Sequence, residues 1–226
     1  VLDDANYDIW GEVRPTIEEA IGRAIDQAVL YGTNIPATWT TNLGAAGLVA
    51  AATAAGHVVS AAAYDDLYEA ILGENNSGAA GLFGLVEQDG FMVTGSIAAL
   101  SMKAKLRNVR TADGQLIFNT SMQQPGAYTL DGAPCIFPTN GAINNTYWLI
   151  SGQWNQLIYA LRQDITYKVL DQAVITDNTG AIVYNLPQQD MVALRAVIRL
   201  GFALPNPVNA VNTNAATRLP FAVLTA

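Results

Sequence analysis

One histidine, His57, and one cysteine, Cys135, are the chain's only candidates for a thiolate–imidazolium pair. Such chemistry needs a thiol in an electropositive, partly exposed setting. Cys135 lies instead in the apolar run APCIFP, where a cysteine behaves as a small hydrophobe. With one residue of each kind, a zinc site built from several His or Cys ligands is excluded. P-loop, GxGxxG and GxSxG patterns do not occur. No catalytic residue, metal or cofactor is therefore expected. Carboxylates come in pairs: Asp3 with Asp4, Glu18 with Glu19, Asp65 with Asp66. Each pair falls at a helix start or on an exposed face, where it complements the helix dipole and is solvated. Glu87 and Asp89 are the two carboxylates whose position would suit glycosidase-like acid–base work.

The remaining charged pattern is a row of arginines in DMVALRAVIRLGFAL, residues 190–204. Val192, Leu194, Ala196, Ile198, Leu200 and Phe202 form one apolar row. Met191, Ala193, Arg195, Val197, Arg199 and Gly201 form the other. Alternation of period two marks a strand with two different faces. Held over roughly thirteen residues it predicts a ribbon about 43 Å long, at ~3.3 Å per residue. Arg195 and Arg199 then have two readings. They form a solvated strand face, or they pair with carboxylates of a neighbouring subunit, since Arg is favoured at interfaces. A ribbon of that length exceeds what a compact domain needs and favours the second.

The elements around these residues read as follows. PTIEEAIGRAIDQAVLY, residues 15–31, is an amphipathic helix with Pro15 in its first turn and Gly32 as its C-cap. Ile17, Ile21, Ala24, Ile25 and Ala28 form its apolar stripe, and Glu18, Arg23, Asp26 and Gln27 its polar side. A shorter helical piece precedes it around Tyr7 to Val13. Residues 33–63, rich in Ala, Gly, Thr and Asn, read as a loosely specified connection. AYDDLYEAILG is a second helix with Asp65 and Asp66 in its first turn. GFMVTGS reads as a short strand, with Ser96 as N-cap of a helix through IAALSMKAKLRNVR. Asp113-Gly114 is a turn, and Leu116–Phe118, Pro134–Phe137, YWLISGQW, YALRQDITYKVL and QAVITDNTGAIVYN read as strands. Asp177 to Gly180 is a hairpin tip. The irregular order of strands and helices gives the fold class α+β, with mixed or antiparallel sheets.

Bulk composition narrows the function classes. The chain has 226 residues, 51% hydrophobic and only 13% charged, against roughly 25% charged in ordinary soluble domains. A surface so poor in charge suits a subunit covered by neighbours. Net charge is −8. Its eleven cations are scattered apart from Lys103, Lys105, Arg107 and Arg110, so no basic stripe supports specific nucleic-acid readout. No run of about 18 apolar residues predicts a membrane span. A lone cysteine forbids an internal disulfide. Without a signal peptide, the N-x-S/T matches at Asn75, Asn119 and Asn144 read as chance.

Taken in order, these pieces resemble the major capsid protein of tailed bacteriophages, the Hong Kong 97-like capsid fold. VLDDANYD followed by TIEEAIGRAIDQAVLYG is similar to the end of the extended loop and the spine helix. DLYEAI, GFMVTGSIAAL, LRNVRTADGQLIF, LDGAPCIFP, WLISGQWNQLIYALRQDITYKV, DMVALRAVIRLGFAL and PFAVLT follow in the family's order. The resemblance implies two lobes. Residues 1–45, with the spine helix, and the long strand of 185–204 would be peripheral. Residues 46–184 and 205–226 would be axial. The apolar row of the long strand would cover Ile17, Ile21 and Ile25, leaving Arg195 and Arg199 to meet a neighbour. Glu18 and Asp26 are the other subunit-contact candidates.

The implied function is a non-enzymatic shell subunit that self-assembles into hexamers and pentamers around the DNA genome. Portal and scaffold proteins are its implied partners. It would assemble in the bacterial host cytoplasm and reside in the virion capsid. The family's N-terminal arm and extended loop are missing before VLDD, so the sequence reads as a trimmed core, expected to be a monomer or weak oligomer by itself. Two alternatives stand beside this reading. An encapsulin-type nanocompartment shell would enclose cargo enzymes instead of DNA. A small acidic α+β enzyme would need a deep pocket with convergent titratable groups.

Overall fold

The structure is a computed structural model, and it describes residues 9–43, 45–110 and 128–226. Asp3, Asp4, the Asp113-Gly114 turn and the Leu116–Phe118 strand expected from sequence lie outside the described residues. The chain divides into two compact units. The larger takes the residues up to Ile158 together with Phe202–Ala226, and the smaller is Tyr159–Gly201.

The larger unit is organised on a six-stranded mixed sheet. Its strands are β1 (Val58–Ser60), β2 (Gly95–Ala98), β3 (Thr129–Leu130), β4 (Ala133–Ile136), β5 (Tyr147–Gly152) and β10 (Phe221–Thr225), in the order β1-β10-β5-β2-β4-β3. β10 runs parallel to β1 and antiparallel to β5, with Val223 opposite Ile150 and Leu224 opposite Leu149. β2 is antiparallel to β5 and parallel to β4. The pleat sends alternate side chains to opposite faces, and here both faces are covered. Leu149, Ala222 and Leu224 enter one cluster, with Ile71, Leu82, Phe83, Val86, Met102 and Leu106. Ile150, Phe221 and Val223 enter the other, with Val29, Leu30, Leu48 and Ala52. This is why FAVL, four consecutive residues buried in β10, reads as a continuous apolar run and not as an alternation.

Helices supply the covering layers. On one face lie α1 (Ile9–Tyr31), α2 (Ala37–Asn42) and α3 (Leu48–Ala55), and on the other α4 (Leu67–Leu72), α5 (Leu82–Gln88) and α6 (Met102–Arg107). α1 ends as expected at Gly32, whose φ of +69° lies in the left-handed region and whose N–H bonds Ala28 O. A Cβ there would stand 2.4 Å from Ala46 O, so the residue must be glycine for space as well as conformation. Asp66 caps α4 by accepting from the Glu69 N–H at 2.8 Å.

Three sequence expectations are corrected. α1 does not start at Pro15 but runs unbroken from Ile9, absorbing the separate short piece expected before it. Proline's fixed φ is already helical, and its cost is one lost backbone bond and local crowding. Residues 33–63 are not a loose connection: they hold α2, α3 and β1, with Leu48 and Ala52 fully buried. LVAAATAA between Gly47 and Gly56 carries the best helix former in five of its eight positions. Its lack of polar contrast hides it because most of its surface is core. Ser96 is not a helix cap. It sits in β2, buried, with its Oγ 2.7 Å from Ser151 Oγ of β5. Sheet pairing overrides local propensity from 95 to 98, and the helix begins only at Met102.

The smaller unit is built from β6 (Ile158–Leu170), β7 (Val174–Thr176), β8 (Ile182–Asn185), α7 (Leu186–Gln189) and β9 (Ala193–Ala203), whose end residues pass into the larger unit. β6 pairs with β9, and β7 with β8. The Asp177–Gly180 tip is as expected: Asp177 accepts from the N–H groups of Thr179 and Ala181, and Gly180 has φ +86°.

Candidate interaction surface

Of the 11 residues of β9 only Arg195 and Arg199 are exposed. Four residues apart on a strand, they stand on one side about 13 Å from each other, at ~3.3 Å per residue. On β6 the exposed row is Arg162, Asp164, Thr166 and Lys168, alternating with half-buried Gln163, Ile165 and Tyr167. Thr166 Oγ1 reaches Val197 O at 3.4 Å, tying the two strands. The long ribbon is thus a strand pair with a polar, mostly cationic outer row. Glu18 and Asp26 are exposed on α1, two turns apart, and Asp26 accepts from Asn140 Nδ2 at 2.8 Å.

Apolar exposure is concentrated here. Ten of the nineteen exposed large hydrophobics among the described residues lie within Tyr159–Gly201, less than a fifth of the chain. Ile182 is 65% exposed and Tyr184 46%. On the β7–β8 hairpin, Ile175 faces Tyr184 in one pair while Val174 and Ile182 occupy others, so both faces carry apolar side chains. A two-stranded hairpin is marginal in water, and natural edges are ordinarily protected by charge. Between Gln172 and Gln189 the only charged residue is Asp177. Such a surface is a candidate contact with another macromolecule.

Elsewhere several titratable groups are committed to structure. Burial pushes the Cys135 thiol up to about 12, which removes the thiolate a nucleophile needs. Both ring nitrogens of His57 are occupied, Nε2 by Asp89 Oδ2 at 3.1 Å and Nδ1 by Phe221 O at 3.1 Å. Glu87 and Asp89 do not form an acid pair: Glu87 is exposed while Asp89 is buried and receives the Leu219 N–H and the Asn212 amide. Asp65 accepts from Asn76, and Asp66 caps α4. An apolar cleft of ≈ 230 Å³ lined by Ile25, Val29, Ile143, Trp154 and Phe202 contains one titratable side chain, Asp26. Lys105 lies 3.8 Å from the Trp148 ring centroid, and Lys103 4.6 Å from that of Tyr128. Arg107 donates to the Tyr128 hydroxyl and holds it below the usual phenol range. The small basic cluster is thus seated on aromatic rings of its own chain. No helix among the described residues is long and apolar enough to cross a membrane.

Sequence reasoning missed a buried polar assembly around Arg218. Arg218, 1% exposed, donates through Nε to Asn206 Oδ1 at 2.8 Å, through one terminal nitrogen to Asn212 O at 2.8 Å and through the other to Asn206 O at 3.1 Å. Asn212 in turn reaches Asp89. The available signal was the asparagine rhythm Asn206, Asn209, Asn212, Asn214 in a segment without apolar periodicity.

A sheet clad in helices on both faces, and a unit of strand pairs that leaves apolar and cationic side chains exposed, suit a structural building block of a larger assembly. The comparisons specify which. The chain belongs to the phage capsid family, whose model matches residues 1–213. Among solved chains it is similar to one from Microbacterium phage Oxtober96, at 29% identity and TM-score 0.78, covering 99% of this chain and 67% of that one. It is also similar to one from Mycobacterium phage Adephagia, at 30% identity and TM-score 0.76, with the same coverages. A capsid chain of an empty GTA particle shares the fold at 18% identity and TM-score 0.54. No curated protein sequence matches it. The fold is the Hong Kong 97-like α+β capsid fold, and the protein is a structural subunit of a phage-type capsid. This favours the phage reading over the nanocompartment and enzyme alternatives.

Proposed function

We propose that this chain forms the wall of an icosahedral phage or prophage shell, closing into hexamers and pentamers that enclose DNA. The observation that carries this reading is the concentration of uncovered apolar side chains on Tyr159–Gly201. A lone molecule would gain by burying them, at about 25 cal/mol per Å². Arg195 and Arg199 pair with carboxylates of a neighbouring copy, with Glu18 and Asp26 as candidates, and set the register of a contact whose apolar part supplies most of the affinity. The lobe assignment stays as the family suggests: residues 1–45 and 185–204 peripheral, 46–184 and 205–226 axial. Portal and scaffold proteins would join in the cytoplasm of the bacterial host. Electron microscopy of the protein expressed with its assembly partners tests the proposal. Closed icosahedral particles containing this chain are expected, and dispersed monomers under those conditions would overturn it.

A further inference from the structure

His57 is the chain's only histidine and is 5% exposed. Its main chain joins two elements, donating to Ala52 O of α3 and accepting from the Val223 N–H of β10. The ring does more. Phe221 O can only accept, so Nδ1, 3.1 Å away, carries a hydrogen. Nε2 faces Asp89 Oδ2 at 3.1 Å. That oxygen already accepts the Leu219 N–H at 2.6 Å, and Oδ1 accepts from Asn212 Nδ2 at 2.7 Å. A neutral imidazole beside an ionised carboxylate would set two lone pairs against each other in a buried site, a costly arrangement. The contact is satisfied only if the pair holds one further proton, on Nε2 or on Asp89.

The charged groups brought to this site can be named element by element. α3 and β10 present none. The turn after α5 presents Asp89, while its neighbour Glu87 is exposed. The irregular stretch 205–220 presents Arg218, whose guanidinium is bonded to Asn206 and Asn212 and not to a carboxylate. Both Asp89 oxygens accept from other N–H donors, Leu219 and Asn212, so the geometry places the extra proton on Nε2 of His57. The pair then grips β10 through Phe221 and the preceding stretch through Leu219.

We infer that His57 and Asp89 form a proton-held latch fastening the C-terminal segment, residues 205–226, to the body of the larger unit. The chain is well suited to a clean reading. It has no second histidine, so every imidazole nitrogen signal comes from His57.

Nitrogen-15 NMR of the single imidazole in the native chain at pH 7 is the direct test. Two protonated ring nitrogens are expected, and an unprotonated Nε2 beside an ionised Asp89 would overturn the inference without requiring any variant to fold. Urea unfolding at pH 7 supplies the energetic reading. Asp89→Asn keeps an acceptor for Leu219 but removes the charge that the proton-bearing Nε2 faces, so its unfolding constant should rise on the order of tenfold, with the Leu219 and Arg218 amides exchanging faster than in the wild type at the same pH. A variant as stable as the wild type would refute the latch. The test uses the unassembled chain, so it stands or falls separately from shell formation.

Discussion

β10 and β8 are both short apolar strands, FAVLT and IVYN, and nothing local separates their fates. Phe221 to Leu224 are each 0% exposed, while Ile182, Val183 and Tyr184 are 65%, 47% and 46% exposed. The first strand has paired neighbours on both edges and helices over both faces. The second has one partner and no layer over either face among the residues of its own unit. The same residue types are buried in one place and left exposed in the other. On the proposed reading this is a division of labour, in which the larger unit's apolar side chains serve its own core and the smaller unit's serve contacts with neighbouring copies.

The sharpest way to break that comparison is a matched pair of truncations. Phe221→Ala removes a ring packed edge-on against Trp154 at 5.0 Å between two layers. A buried Phe→Ala costs about 3–5 kcal/mol, enough to unfold a marginal domain. Ile182→Ala should change the unfolding free energy of the unassembled chain by less than about 0.5 kcal/mol, as at other exposed sites. Denaturant midpoints of the two variants decide it; similar losses would mean that the hairpin is already covered in the free molecule.

Gly152→Ala comes next. A Cβ at this position would sit 2.3 Å from Pro220 O and 2.5 Å from Phe221 Cδ1, and backbone cannot yield as a side chain can. Overpacking of this kind costs roughly 1–3 kcal/mol. Gly201→Ala, at a position on β9 where a Cβ meets nothing within 4 Å, is the control in the ribbon and should be nearly neutral. Thermal melts of both report the contrast.

Charge reversal at Arg195 and Arg199 reads the other side of the division. Both are exposed, so the double variant to Glu should leave the free chain's stability within about 0.5 kcal/mol. Particle yield by sedimentation should nonetheless fall, because like charges would then meet a neighbour's carboxylates. Undiminished particles would remove both arginines from the contact.

The same division explains what could be read from residues alone. The ribbon was legible because its two faces differ: Arg195 and Arg199 punctuate an apolar alternation, and Asp177 to Gly180 announces its hairpin. The interior of the larger unit was less so. α3 and β2 are built mostly from small and apolar residues, which carry little pattern once most of their surface is buried, and Ser96 looks like a cap until β5 supplies Ser151. The His57–Asp89–Arg218 assembly was hidden for a different reason. Its members are separated by 32 and 129 positions in sequence, and only the closing of β10 between β1 and β5 brings them together.

The smallest expected effect lies at the hairpin tip and sharpens the contrast with the buried Asp89. Asp177 is fully exposed, yet its carboxyl is held below the usual carboxylate range, first by the Thr179 hydroxyl and then by the N–H groups of Thr179 and Ala181. A depressed carboxyl contributes its stabilisation above the unfolded value, about 3.9, and loses it as pH falls through the lower native value. The tip should therefore stay ordered down to about pH 4 and loosen below it. Amide shifts of Thr179 and Ala181 should move together with the Asp177 carboxyl in that range. Because water competes for every one of these bonds, the global unfolding midpoint should barely respond to Asp177→Asn; a large drop would mean that the tip is packed against something even in the free chain.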